Sequence, residues 1–244
     1  MPRNPSARLK LPRHEAREFR VLTPAETKKL VQALHDADPK KQKARRALWA
    51  PVAVAVSTGL RLGELLALQW SDVDLKAGTL IVRHTLEEVG TTLRLKAPKT
   101  RGSRRTVPLH PDTVQVLKEH RRRQNALRLR LRGWEDNNLV FPDTTPTSNN
   151  LAVEPKSFAP GRPRSPKALQ HVFRREMKAL GYDGLRFHDL RHTHITHLLH
   201  AGVNVKDVSA RVGHASAAMT LDRYAHLLPG SQEAAVKALD GLLG

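Results

Sequence analysis

Cysteine is absent from the 244 residues, which removes disulfides, thiolate metal sites and cysteine nucleophiles together. Acid is scarce beside base: 23 Asp and Glu stand against 42 Lys and Arg, a formal charge of +19 with histidines neutral. A surplus of that size favours a polyanionic partner, because each neutralised phosphate releases condensed counterions. Nucleic acid fits better than a membrane surface, since the apolar residues look core-like and no basic amphipathic anchor stands out. There is no apolar run of about 18 to 20 residues and no signal-like N-terminus, so neither membrane spanning nor export is expected, and a soluble cytoplasmic protein is. Tyrosine is also scarce, with only Tyr182 and Tyr224 present. Tyr182, in LGYDG, reads as a structural residue at a turn. Tyr224 lies late in the chain among basic residues, in MTLDRYAHLLPG, and is a candidate nucleophile toward phosphate.

The length can bury a real core, as one large domain or two small ones. Residues 1–22 carry three prolines, many charges and little apolar periodicity, and read as a tail or linker. Thr23 then caps a helix, with Pro24 at its first position and Glu26 closing a capping box. Leu30, Val31 and Leu34 supply its buried face. Residues 47–56 are almost wholly apolar and predict a buried helix, with Pro51 near its start or bending it. Three β-rich runs follow, at 79–84, 91–96 and 104–109, with no room for crossover helices, so they predict one small antiparallel sheet. Pro111 opens another helix. Residues 121–132 hold six arginines and no acid, equally consistent with phosphate contact and with a solvated helix face. Residues 142–166 hold six prolines and read as a long loop. Helical patterns resume near Lys167, and no internal repeat is visible. The fold class is mainly α with a small antiparallel β-sheet (α+β): one domain over 23–228, then a C-terminal helical tail over 229–244.

Several basic positions ahead of Tyr224 suit phosphate chemistry. Arg61 and Glu64, three apart, share a helix face on which the carboxylate can orient the guanidinium; a surface ion pair is the bland alternative. Lys99 lies in a turn between two strand runs, flanked by Arg101, Arg104 and Arg105, where a hairpin can carry its ammonium to a leaving oxygen. His188 and Arg191 again stand three apart, at a helix start, an arrangement that suits a phosphate. His188, His192, His194, His197 and His200 raise the question of a metal. His188 and His192 have the spacing of a zinc-protease helix, but Asp189 stands where that motif requires Glu, so solvated or packed histidines are the expectation for the last four. His214 follows a well-marked helix, capped by Asn204 and ended by Gly213. An ordinary phenol has a pKa of about 10, so Tyr224 needs cationic neighbours or a base to attack.

TGLRLGELLAL, KAPKTRGSRRTVPL, FHDLRHTHIT, VSARVGHAS and LDRYAH together resemble, in order and spacing, the catalytic boxes of the tyrosine recombinases, the phage-integrase-like site-specific recombinases. The resemblance implies a catalytic domain over 23–228 that cleaves and rejoins double-stranded DNA. Tyr224 would attack a scissile phosphate, leaving a 3′-phosphotyrosyl link and a free 5′-hydroxyl. Arg61, Arg191 and His214 would hold the non-bridging oxygens, Lys99 would protonate the leaving oxygen, and His188 would assist proton transfer with the tyrosine. Glu64 would be supporting. No metal or other cofactor is implied. Self-association on DNA as a tetrameric synapse, and a bacterial or phage-encoded protein at the nucleoid, are further implications. Family members usually carry an N-terminal domain that grips the other side of the DNA, so a catalytic fragment lacking that core-binding domain is expected. A DNA-binding protein with a degenerate active site is the runner-up, and a metal-dependent nuclease the third reading.

Overall fold

A computed structural model describes residues 19–90, 92–96, 104–144 and 160–225. The expected capping box opens the first helix, α1 (Pro24–His35): the Thr23 hydroxyl accepts the Glu26 N–H at 3.1 Å, and the Glu26 carboxylate accepts the Thr23 N–H at 2.8 Å. Leu30 and Leu34 are buried as the periodicity predicts. In α2 (Lys43–Thr58), Leu48, Trp49, Val52 and Val54 are at most 4% exposed. Pro51 lies inside this helix and not near its start. The helix begins early because the basic KARR stretch belongs to it, with Arg45 donating to Glu176 at 3.1 Å. The apolar packing around Pro51 offsets the one backbone hydrogen bond that proline removes.

A short helix, α3 (Leu62–Leu66), and a 3-10 turn at Trp70–Asp72 lead into the strands β1 (Val73–Asp74), β2 (Thr79–Val82), β3 (Thr85–Val89), β4 (Thr92–Lys96) and β5 (Arg105–Pro108). The mainly α fold with antiparallel β structure is as expected, but the pairing differs. β1, β2 and β5 form one sheet in that order, with Leu80 opposite Val107, while β3 and β4 form a separate hairpin. The run at 91–96 therefore pairs with TLEEV, a segment the sequence pattern left unassigned. Only Leu86 of β3 is buried, and two adjacent glutamates hide its alternation. Glu88 fastens the hairpin to the helix that follows the long loop, accepting the Ser165 hydroxyl at 2.6 Å.

The remaining helices are α4 (Pro111–Arg130), α5 (Pro166–Ala179), α6 (Phe187–His200), α7 (Val205–Val212) and α8 (Ala217–Tyr224). α2 packs against α1, α4, α5 and α6. The arginine-rich stretch on α4 is partly committed within the protein: Arg123 lies over Trp49, Arg121 over Trp70, and Arg128 pairs with Asp136. A second, smaller core joins Ile195, Leu199, Val208, Val212 and Tyr224, with Phe19, Leu198 and Val205 packed on it. Residues 1–18, most of the expected loop and the terminal helix expected over 229–244 lie outside the described residues. No helix among the described residues is long and apolar enough to cross a membrane.

Candidate active site

The site begins where α2 ends. Gly59 takes a left-handed φ of +69°, which stops the helix and turns the chain so that Arg61 caps α3. Glu64, in the first turn of α3, accepts the Arg61 backbone N–H and its guanidinium, each at 2.9 Å. It also accepts both terminal nitrogens of Arg105, at 3.1 and 2.9 Å. Glu64 is only 6% exposed and the Arg61 side chain 39%, so the pair expected on one helix face joins a half-exposed guanidinium to a buried carboxylate, which is more than a surface ion pair. Burial pushes the Glu64 pKa up, but hydrogen bonds and charge from Arg105, joined by Arg61, outweigh it and leave the carboxyl below its ordinary range. The end of α7 completes the clamp. Arg105 Nε donates to the Arg211 carbonyl at 2.7 Å and Arg61 Nη2 to the Gly213 carbonyl at 2.9 Å, both at a helix C-terminus that favours cations.

α6 brings the third guanidinium. Its first turn is fixed by Asp189, which accepts the Arg186 backbone N–H at 2.9 Å and its guanidinium at 2.7 Å. Arg191 then points inward, 3% exposed, with Nη1 donating to the Gly59 carbonyl at 2.7 Å. Its Nη2 is buried without an acceptor. Burial, reinforced by the charge of Arg61 and only partly opposed by Glu64, brings its pKa down to about 9. Three guanidiniums, Arg61, Arg105 and Arg191, thus gather around one glutamate. A buried cationic donor with no acceptor calls for an anion.

His214 follows Gly213, and its Nδ1 is hydrogen-bonded to the Thr220 hydroxyl at 2.7 Å. Burial, then Arg191 and Arg61, depress its pKa to about 4, so the ring is neutral near pH 7. His188 is exposed at the N-terminus of α6; partial desolvation and then Arg191 hold its pKa below the ordinary value. Tyr224 is 1% exposed and belongs to the second core. Burial outweighs the pull of Arg191 and Arg223 and pushes the phenol up to about 12. The imidazole bonded to its hydroxyl is His192, whereas the family resemblance implied His188 as the proton-transfer partner. Lys99 lies outside the described residues, between the ends of β4 and β5.

The structure therefore brings Arg61, Glu64, Arg191 and His214 together, with His188 and Tyr224 on the flanking helices. Arg105 and His192 are additions. Arg105 was legible only as one of several basic residues beside Lys99. His192 stands one turn after His188, a spacing that shares a helix face. Among the described residues, no group of three or more His, Asp or Glu is placed to hold a metal ion.

Gly59 is a weak point that joins fold to site. A Cβ there would lie 2.6 Å from His194 Cδ2. His194 cannot easily yield, since its Nδ1 donates to the Val56 carbonyl at 3.0 Å and its Nε2 accepts from Arg211 at 3.1 Å. Gly59→Ala is expected to lose roughly 1–3 kcal/mol from the strained φ alone, with more from the clash. Urea unfolding measures this, and an unchanged midpoint would mean that the α2–α6 contact has slack.

Fold and site together describe a mainly helical domain with a cationic cluster suited to an anion. The Phage integrase family profile matches residues 20–230, and the chain belongs to that family. The tyrosine recombinase XerC-like protein of Caldanaerobacter subterraneus subsp. tengcongensis is 30% identical over 237 residues, covering 92% of this chain and 55% of that protein. The ICEBs1 integrase of Bacillus subtilis is 28% identical, covering 99% of this chain and 60% of its own. The chain thus spans little more than half the length of these relatives. Among solved structures, the Tn1549 transposon integrase in complex with transposon right end DNA has a TM-score of 0.72 at 21% identity, covering 94% of this chain and 68% of that one. The XerH site-specific recombinase bound to difH substrate in a pre-cleavage complex has a TM-score of 0.61 at 19% identity, covering 91% of this chain and 54% of that one. These structural likenesses are likenesses of fold.

Proposed function

We propose that this chain breaks and rejoins double-stranded DNA through Tyr224. The observation that carries the reading is the buried Arg191 Nη2 without an acceptor, beside Arg61 and His214: the cluster has the charge and the donors that a phosphodiester needs. In the reaction, the Tyr224 oxygen forms a bond to phosphorus as the bond from phosphorus to the 5′-oxygen breaks. The phenol gives up its proton to the His188 imidazole, and Lys99 supplies one to the leaving oxygen. Negative charge developing on the non-bridging oxygens is met by Arg61, Arg191 and His214, held in place before the substrate arrives, with Arg191 already desolvated. The products are a 3′-phosphotyrosyl link and a free 5′-hydroxyl, and a 5′-hydroxyl attacking that link rejoins a strand. Pre-organised guanidiniums perform the charge stabilisation that metal ions perform in other phosphoryl transfers.

The formal charge of +19 supports a DNA partner, and relatives that are recombinases and integrases support a site-specific reaction. On this reading the chain assembles on DNA with further copies of itself, as a tetrameric synapse, at the nucleoid in the cytoplasm. The second reading, a DNA-binding protein without cleavage, is favoured by the 1% exposure of Tyr224. The deciding experiment incubates the chain with a pool of nicked suicide duplexes randomised over their central segment, then runs a denaturing gel. The expected result is a covalent protein–DNA band whose released strand takes label directly from polynucleotide kinase, reporting a free 5′-hydroxyl. Retarded DNA with no covalent band would establish the binding-only reading.

A further inference from the structure

The Tyr224 hydroxyl is hydrogen-bonded to Nδ1 of His192, a residue to which neither the motifs nor the proposed reaction assigns a part. His192 is 4% exposed and tightly held. The Phe19 ring stacks on it at 4.2 Å and 15°, and also lies 5.5 Å from the Tyr224 ring. The His188 ring meets it edge-on at 4.8 Å. Phe19 is itself anchored nearby: the Leu22 N–H donates to the Thr193 hydroxyl at 3.1 Å, and His197 Nε2 is bonded to the Leu22 carbonyl at 2.8 Å. α6 therefore carries Arg191 and, one residue later, the group that touches the nucleophile.

We propose that His192 is a positioning residue for the Tyr224 nucleophile, accepting the phenol O–H at Nδ1 so that the oxygen is fixed and its lone pairs are left for phosphorus. An attacking hydroxyl must direct a lone pair at its target with its proton turned elsewhere. The His192 bond does this in the ground state, and the Phe19 stack prevents the imidazole from swinging away. The acceptor role requires a neutral ring. Burial first, and then the charge of His188, lower the His192 pKa to about 3, so it stays unprotonated across the working range. The proton leaves for good only in the transition state, passing to the neighbouring His188 ring as the phenol oxygen bonds to phosphorus.

This inference rests on the proposed strand cleavage. The experiment measures single-turnover adduct formation on suicide duplexes selected from the randomised pool, beside DNA affinity. His192→Leu should cut the rate by about 10²-fold, the scale of a misplaced reacting atom, at unchanged affinity. His192→Asn, whose amide reaches the Nδ1 position, should recover most of that loss. His192→Gln, whose amide reaches the Nε2 position, should not. The defect should persist with a 5′-bridging phosphorothiolate, whose sulfur leaves without a proton, whereas a Lys99→Ala defect should be relieved by it.

A wild-type rate in His192→Leu overturns the proposal. So does Asn as slow as Leu, which would make His192 a proton acceptor, or a defect cured by the phosphorothiolate, which would move it to the leaving-group side. If the Leu variant fails to fold, the Asn and Gln variants decide, and equal rates overturn the assignment. A wild-type chain that forms no adduct overturns the cleavage reading and this inference with it; wild-type adducts with unaffected variants overturn the inference alone.

Discussion

Tyr224→Phe is expected to abolish the covalent adduct while leaving DNA affinity near that of the wild type. The substitution removes one oxygen and keeps the ring that fills the second core beside Ile195, Val208 and Val212. Arg61, Arg105 and Arg191 take their positions from Glu64, Gly59 and the carbonyls at the end of α7, none of which involves the phenol. Binding should therefore survive. The chemistry should fall by roughly 10⁴-fold or more, as it does when the nucleophile of a covalent mechanism is deleted. Denaturing gels read the adduct and mobility shifts read the affinity. Tyr182 is a poor substitute, since it is 8% exposed and its hydroxyl donates to the Glu26 carbonyl at 3.3 Å. An adduct persisting in Tyr224→Phe would place the nucleophile elsewhere.

The local parts of this molecule were legible from its residues because their causes are local. Thr23, Pro24 and Glu26 start α1 through contacts spanning three positions, and Asn204 and Gly213 bracket α7 in the same way. The order of basic motifs led to the family for a similar reason, since each motif is a short run around one or two functional side chains. Two kinds of feature escaped. One was structure whose pattern is masked by charge, as in the two glutamates of β3 and in the KARR start of α2, where polar residues are satisfied by partners on other elements. The other was side chains whose role exists only in three dimensions. Arg105 meets Glu64 across 41 positions and His192 meets Tyr224 across 32, separations that no spacing rule reaches. The burial of Tyr224 belongs to the same class, because it depends on Phe19 arriving from the opposite end of the described chain.

Glu64→Ala should be the most damaging change at a residue that never touches the scissile bond. Its carboxylate is 6% exposed and bonded to two guanidiniums, one of which, on Arg105, has a side chain only 7% exposed. Removing one partner of a buried pair leaves the other charge desolvated without compensation, typically about 3–5 kcal/mol. The same loss releases Arg61 and its neighbour Arg105 from the positions Glu64 gives them, so on the proposed reading cleavage should fall by about 10² to 10³ as well, the scale of a lost transition-state donor.

Glu64→Gln separates the two effects, since it keeps the volume and one acceptor but removes the charge. The sign with pH follows from the depressed carboxyl pKa. In the unfolded chain the group titrates at about 4.3; folded, it titrates lower. Its contribution to stability is therefore complete above the unfolded value and fades as pH falls through the folded one. Urea midpoints measured from pH 7 downward should drop steeply in wild type across that window and less steeply in Glu64→Gln. Equal slopes would show that Glu64 holds its two arginines by hydrogen-bond geometry alone. A shallower slope in Glu64→Gln, with cleavage lost at pH 7, would tie the placement of both guanidiniums to that single negative charge.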